Sequence, residues 1–309
     1  MVSEVVYKHL ACPACGGRLL RDGGPLRCSA CGVNYPPANG QLDLRLRGPK
    51  TVTVGFDLGK ELPPTGALPF GSIPLNSAAP AIPFDEPKSD DGCFFGNRLT
   101  RELLSWFPRA GRPDALMLDL GCGNKRLEPY CRPLGYDYVG IDLQKEADLL
   151  ADAHALPFVD GTFDFAISFA VLEHLRYPSV TLQEVFRTLR PGAVFIGSVA
   201  FLEPYHQNSF YHTTGLGLYS LLTTAGFEVQ WIEPNSIWTV LPALVGMNFF
   251  PGLPTLLQKL PLLPAEVLHR VLWALRAKFR KCKEPMRLER DRLHFSTGGF
   301  RFIARRPGA

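Results

Sequence analysis

The stretch LDLGCGNKRLEP, Leu118 to Pro129, constrains the fold most: an apolar strand-like run breaks into a glycine turn and then becomes basic. Its surroundings repeat the strand theme. DALMLDL, YDYVGIDL and FDFAISFA are apolar runs of strand length, and a short helix is expected around Leu127 to Leu134. SVTLQEVFRTLR reads as an amphipathic helix stopped by Pro191 and Gly192, and AVFIGSV as the next strand. TGLGLYSLLTTAG reads as a helix ended by Gly226, followed by the strands FEVQWIE and, near the C-terminus, GFRFIARR. Strands alternating with helices imply a doubly wound α/β fold with a parallel sheet.

Composition divides the 309 residues into three regions. Residues 1–46 hold two C-x-x-C pairs, and residues 47–93 are an irregular linker with seven prolines between Pro63 and Pro87. Proline fixes φ and removes a donor, which excludes a helix or a central strand there. Residues 94–309 carry the patterned elements, beginning with the helically spaced FFGNRLTRELLSWF. A hydrophobic fraction of 46% and a charged fraction of 20% are those of a globular domain, and a net charge of +4 does not by itself point to nucleic acid. The N-terminal segment has no long apolar core and carries Glu4, so the expected location is cytoplasmic.

A glycine turn at the first strand–helix junction is where nucleotides bind in such sheets. The dinucleotide fingerprint needs a third glycine, where Arg126 stands, and the spacing of a phosphate-binding P-loop is absent. Asp119, just before Gly121 and Gly123, would repel a pyrophosphate and suits a cationic ligand. The turn therefore favours a nucleoside without phosphates. Asp142, 23 residues on in GIDL, stands where a carboxylate accepts hydrogen bonds from ribose hydroxyls. In ADAHALPF, Asp152 and Ala153 occupy a loop where an acceptor can meet an adenine amino group.

The ordered set LDLGCG, GIDL, ADAHALPF, FDFAISFAVLEHL and LRPGAVF resembles the class I S-adenosylmethionine-dependent methyltransferases, in particular the type-11 family. The resemblance covers residues 114–200, and the closing TGGFRFIARRP resembles that family's last strand. It implies a Rossmann-like seven-stranded sheet with a reversed last hairpin and S-adenosylmethionine over the C-terminal strand edge. It further implies that Asp119 orients the methionine ammonium, that Gly121 and Gly123 let backbone approach the ligand, and that Ser168 lines the methionine end. Asp142 would take the ribose, and Asp152 with Ala153 the adenine. Lys125 stands where family members often have glycine, and pairing with the cofactor carboxylate is one role open to it. Glu173 and His174 in VLEHL recur in the family, often with a structural role, and His174 is a weak catalytic candidate.

Cys12, Cys15, Cys28 and Cys31 form C-x2-C-x12-C-x2-C, with a glycine directly after the second cysteine of each pair. Four thiolates on two such turns suit a closed tetrahedral zinc site, structural because no coordination position stays open. The segment resembles the small zinc-ribbon activator subunit of tRNA methyltransferases, here fused to the patterned region, which implies a docking or substrate-orienting role.

Methyl transfer needs a base only when the acceptor is still protonated at neutral pH. The loop FLEPYHQNSFYHTTG supplies His206, nearest the strand end and the first choice, and His212. The expected reaction is methylation, chiefly at oxygen, of a small-molecule, natural-product, glycan or glycolipid acceptor. An RNA methyltransferase using the ribbon for docking is the alternative, and a non-catalytic scaffold is disfavoured because the three cofactor acids are present. Residues 234–258 carry no charged side chain but are broken by Pro and Gly, so the region 234–295 reads as a lid or helical insertion before the last strand. Between Arg270 and Arg292 nine Lys or Arg face three acids, which leaves a peripheral membrane contact through 234–292 open beside packing on the domain itself.

Overall fold

The computed structural model describes residues 3–21, 23–55, 101–203, 208–236, 238–246, 249–279 and 285–308. Most of the proline-rich linker (56–93) and His206 therefore lie outside the described residues.

A seven-stranded sheet organises the chain, in the order β6 (Leu149–Leu150), β5 (Asp137–Asp142), β4 (Leu116–Leu120), β7 (Phe163–Phe169), β8 (Leu189–Ala200), β10 (Gly299–Arg305) and β9 (Glu228–Pro234). The first five run parallel, and β10 is antiparallel to both its neighbours. This is the Rossmann-like sheet with its last hairpin reversed. All five residues of β4 are buried, as a strand covered on both faces requires. Alternate side chains enter two apolar layers. Leu116, Leu118 and Leu120 join Leu182, Val185, Leu218 and Leu222, whereas Met117 joins Phe107, Leu134 and Tyr136 on the other face, with Leu103 and Leu104 of α2 (Arg101–Ser105) and Cys131 of α3 (Glu128–Cys131).

Two helices cover the first of these layers. α4 (Pro178–Thr188) opens with proline in its first turn and buries Thr181, Leu182, Val185 and Thr188, one face at helical spacing. It ends before Pro191, earlier than the sequence suggests. The Arg306 guanidinium donates to the carbonyls of Phe186 and Arg187 at 3.0 and 2.9 Å and also to that of Leu189. A cation on these last carbonyls satisfies the helix end, and Leu189 is already extended. Pro191 and Gly192 then fall within β8, where the pairing with β7 slips between Phe163 and Phe165. α5 (Gly215–Thr224) is capped by Thr214, whose hydroxyl accepts from Gly217 N at 3.0 Å.

The N-terminal segment makes a one-turn helix, α1 (Glu4–Tyr7), and a small antiparallel sheet of β1 (Leu19–Leu20), β2 (Leu26–Cys28) and β3 (Asn34–Tyr35). Residues 42–44 then run beside β6. Leu44 N donates to Leu150 O at 2.8 Å and Leu150 N to Leu42 O at 3.0 Å. A second seam joins Ala11 N to Pro157 O and Val159 N to His9 O, both at 2.9 Å. The segment thus closes the sheet edge that β6 would otherwise leave open.

Between β9 and β10 lie α6 (Val240–Gly246), α7 (Thr255–Lys259), α8 (Leu263–Phe279) and α9 (Pro285–Ser296). No helix among the described residues is long and apolar enough to cross a membrane.

Gly197 marks the tightest strand contact: a Cβ there would lie 2.2 Å from the Ser168 carbonyl oxygen and 2.7 Å from the Phe302 ring. Gly197→Ala is expected to cost at least about 2 kcal/mol, read as a lower urea midpoint at unchanged slope.

Candidate cofactor site and cysteine cluster

Parallel pairing carries the ends of β4, β5, β6, β7 and β8 to one edge of the sheet, and every described candidate residue between Asp119 and His212 lies at or beside it. After β4 the chain turns at Gly121, whose φ of +70° suits glycine and whose absent Cβ would lie 2.4 Å from Val171 Cγ2. Gly121 N and Cys122 N donate to Ile141 O at 2.9 and 3.1 Å. Gly123 N donates to Asp142 Oδ2 at 2.9 Å, and a Cβ on Gly123 would meet nothing within 4 Å. The other oxygen of Asp142 accepts from Leu143 N at 2.7 Å and Gln144 N at 3.0 Å. One carboxylate therefore holds the two loops together beside open space.

Asp119 is buried on β4 and accepts a 2.5 Å hydrogen bond from Tyr138 OH. Burial pushes its carboxyl up to about 7 against the opposing effect of that phenol, and the acids Asp142, Asp148 and Glu128 push it further the same way. Lys125 does not offer its charge to this space. Its Nζ lies 2.8 Å from Asp148 Oδ1 and 3.5 Å from Glu128 Oε2, and Asp148 Oδ2 accepts from Gly140 N at 3.0 Å. The pairing open to Lys125 from sequence is thus taken by carboxylates of the chain itself.

At the end of β6, Asp152 Oδ1 accepts from His154 N at 2.9 Å and meets His154 Nδ1 at 2.7 Å. The histidine contact holds Asp152 below the usual carboxylate range. Tyr177 N approaches His154 Nε2 at 3.3 Å, so Nδ1 carries the proton in the neutral ring. Sequence reasoning passed over His154, although its place two residues after an aspartate is the spacing of a local side-chain turn. Ala153 is half-buried beside it. Ser168 is fully buried on β7, and its hydroxyl has no hydrogen-bond partner among the described residues.

The loop after β8 folds back on the loop after β7. Glu173 O accepts from Phe210 N at 2.7 Å, Glu173 Oε1 accepts from Ala200 N at 3.2 Å, and Tyr211 OH donates to Arg176 O at 3.1 Å. Glu173 is wholly buried, which makes it the positioning residue of this pair of loops. His174 Nδ1 lies 3.2 Å from Asn208 O, and the exposed His212 has Nε2 3.3 Å from Ser209 Oγ. Trp238 Nε1 donates to Glu203 Oε1 at 2.6 Å, tying the approach to α6 to the same loop.

The sulfurs of Cys12, Cys15, Cys28 and Cys31 all lie within 4.8 Å of one another, with Cys12 and Cys31 3.7 Å apart and Cys15 and Cys28 3.5 Å apart. These separations exclude S–S bonds. A metal–sulfur distance of about 2.3 Å gives a tetrahedron with edges of about 3.8 Å, which matches. Gly16 and Gly32 take φ of +75° and +74°, so each pair closes in the same turn. Tyr35 OH lies 3.1 Å from Cys12 Sγ and closes the inner side.

Against known proteins, residues 118–197 match the family described as "Methyltransferase domain". A Mycolicibacterium smegmatis protein named "Probable S-adenosylmethionine-dependent methyltransferase" is 37% identical over 86 residues, 24% of this chain and 32% of that protein. The malonyl-[acyl-carrier protein] O-methyltransferase of Salmonella typhimurium is 34% identical over 96 residues, 27% of this chain and 38% of its own length. The tRNA (carboxymethyluridine(34)-5-O)-methyltransferase of Arabidopsis thaliana is 30% identical over 133 residues, 40% of this chain and 31% of its own. The chain spans about a third of the length of the first curated relatives it matches. Residues 118–197, which carry β5, β6 and β7 with most of β4 and β8, thus match a methyltransferase domain, and the strand order is that of a Rossmann-like sheet.

The sulfur tetrahedron predicts about one tightly held metal ion per chain by elemental analysis. Cys15→Ser together with Cys31→Ser is expected to abolish it, and metal content unchanged in that variant would refute the assignment.

Proposed function

We propose that this chain transfers a methyl group from S-adenosylmethionine to an oxygen of a small-molecule, natural-product, glycan or glycolipid acceptor. The observation that carries the reading is the acid-lined glycine turn. Asp119, Asp142 and Asp152 stand at or just past the ends of β4, β5 and β6, and Lys125 beside the turn is paired with Asp148, an acidic set of acceptors suited to a cationic nucleoside and adverse to a pyrophosphate.

S-adenosylmethionine supplies a methyl group already activated on a positively charged sulfur, so the protein's part is alignment and exclusion of water. Three backbone N–H groups fix the Asp142 carboxylate, and of its roughly four acceptor positions one remains for the ribose. Asp119 favours the methionine ammonium through an intervening water, since it is too buried for direct contact. Asp152 and Ala153 take the adenine amino group, the Asp152 carboxylate being held by His154. Ser168 contributes its unpartnered hydroxyl on the methionine side.

A hydroxyl acceptor must lose its proton as the new carbon–oxygen bond forms. His212, exposed on the loop after β8, is the described candidate base, and His206 on the same loop shares that role. His174 is the weaker candidate because Nδ1 is engaged by Asn208 O. The cysteine cluster holds zinc with four thiolates and no open position, so its role is to fold the N-terminal segment against β6 and the loop that carries Asp152. The tRNA-modifying relative favours RNA as the second acceptor class.

Calorimetric titration of S-adenosylmethionine into the full chain tests the cofactor site. Micromolar binding is expected, weakened at least about tenfold by Asp142→Ala through loss of a charged hydrogen bond. No binding to the intact chain would overturn the reading. Affinity is also expected to rise with pH through about 7, where Asp119 ionises, and then level off. The sign follows because the ionised carboxylate attracts the cationic ligand and the protonated one does not; Asp119→Asn should flatten the profile. Labelled methyl groups should appear in small-molecule or lipid extracts. Labelling of RNA instead, falling steeply between about 50 and 200 mM salt, would establish the second reading.

A further inference from the structure

α8 presents the wrong face to the domain. The side chains it turns inward are Glu266, His269 and Trp273, each half-buried, while Val267, Val271 and Leu275 recur at i, i+4 and i+8 on the opposite side. With the adjacent Leu268 and Leu272 they are 43 to 57% exposed. An amphipathic helix packed on its own domain buries its aliphatic stripe and exposes its polar one; here the order is inverted. The stripe continues through α7, where Leu256 is 72% exposed, and ends at Phe279, 80% exposed.

Charge identifies the occupant. Residues 255–279 contain Lys259, Arg270, Arg276 and Lys278 against the single acid Glu266, a net +3. Glu266 is itself held 2.6 Å from Arg270. Lys278 follows Val271 by seven residues and so lies on the apolar side, whereas Arg276 lies along the flank, 5.0 Å over the Trp273 ring. A second copy of the chain would bring +3 against +3. RNA would answer the cations and leave a Leu/Val stripe in water. A surface both anionic and apolar at shallow depth satisfies both features, and a helix of 17 residues, about 25 Å long, lies along it without crossing.

We propose that α7 and α8 dock this protein on an anionic lipid surface, with the Val267–Val271–Leu275 stripe entering the headgroup boundary and the flanking cations meeting lipid phosphates. The same insertion is joined to the loop after β8 through Trp238 and Glu203, so docking would bring the candidate acceptor loop to the lipid surface.

Sedimentation of the full chain with sucrose-loaded vesicles tests the proposal independently of methyl transfer. Partitioning onto phosphatidylcholine vesicles containing about one third phosphatidylglycerol is expected to exceed that onto pure phosphatidylcholine at least tenfold. Val271→Glu with Leu275→Glu should remove the difference while leaving the circular dichroism spectrum unchanged, because both positions are exposed. Arg276→Gln and Lys278→Gln should each weaken binding about fivefold at low salt. Equal partitioning onto both vesicles, no partitioning, or full binding by the Val271→Glu, Leu275→Glu variant would overturn it. So would a dimer of the intact chain in solution that this variant dissociates, which would assign the stripe to copy–copy contact.

Discussion

One carboxylate joins the parts on which the candidate site depends. Asp142 receives the N–H of Gly123 from the turn after β4 and those of Leu143 and Gln144 from its own loop. Two loops that would otherwise move separately share one anchor, and the positive φ of Gly121 and Gly123 is what allows the backbone to reach it. The anchor works only because β4 and β5 are parallel neighbours, which brings their ends to the same edge. Charge is arranged to the same effect. Lys125, the cation closest in sequence to the turn, is bound by Asp148 and Glu128, leaving the acids to dominate the open space.

The N-terminal segment is more than an attachment. Its residues 42–44 extend the sheet past β6, and its seam at Ala11 and Val159 grips the loop that carries Asp152 and His154. Leu10, Leu26, Tyr35 and Leu44 enter the same apolar layer as Leu149, Leu156 and Phe158. The cysteine cluster therefore supports a surface that sits beside the proposed adenine contact. A cluster that lost its shape would disturb that loop without touching a catalytic atom.

The insertion before β10 shows the opposite economy. Its start is held firmly, by Trp238 on Glu203 and by the pairing of Thr239 with Thr297, whereas α8 leaves its aliphatic side exposed. The five Leu and Val side chains are about half exposed, so completing their burial would contribute roughly 4 to 8 kcal/mol at about 1.5 to 3 kcal/mol per full side chain, which is why the stripe is proposed as a contact surface.

The strands, the glycine turn and both cysteine pairs were legible in the sequence because each is a local pattern: an apolar run, a residue that tolerates positive φ, a fixed spacing between ligands. What sequence reasoning missed depends on residues distant along the chain. α4 ends early because Arg306, more than a hundred residues away, caps its carbonyls. Lys125 is lost to Asp148 because β5 and the turn after β4 are neighbours only in the fold. The periodicity of α8 was equally visible, but periodicity alone says that a helix has two faces and not which one meets the domain. The sequence alone thus determined the strand–helix alternation, the acid-bearing turn and the thiol set, since these follow from local sterics and ligand chemistry. Only the tertiary structure decided which charges remain at the turn, what covers the β6 edge and which face of α8 is left to solvent, because those depend on where separate segments come to rest.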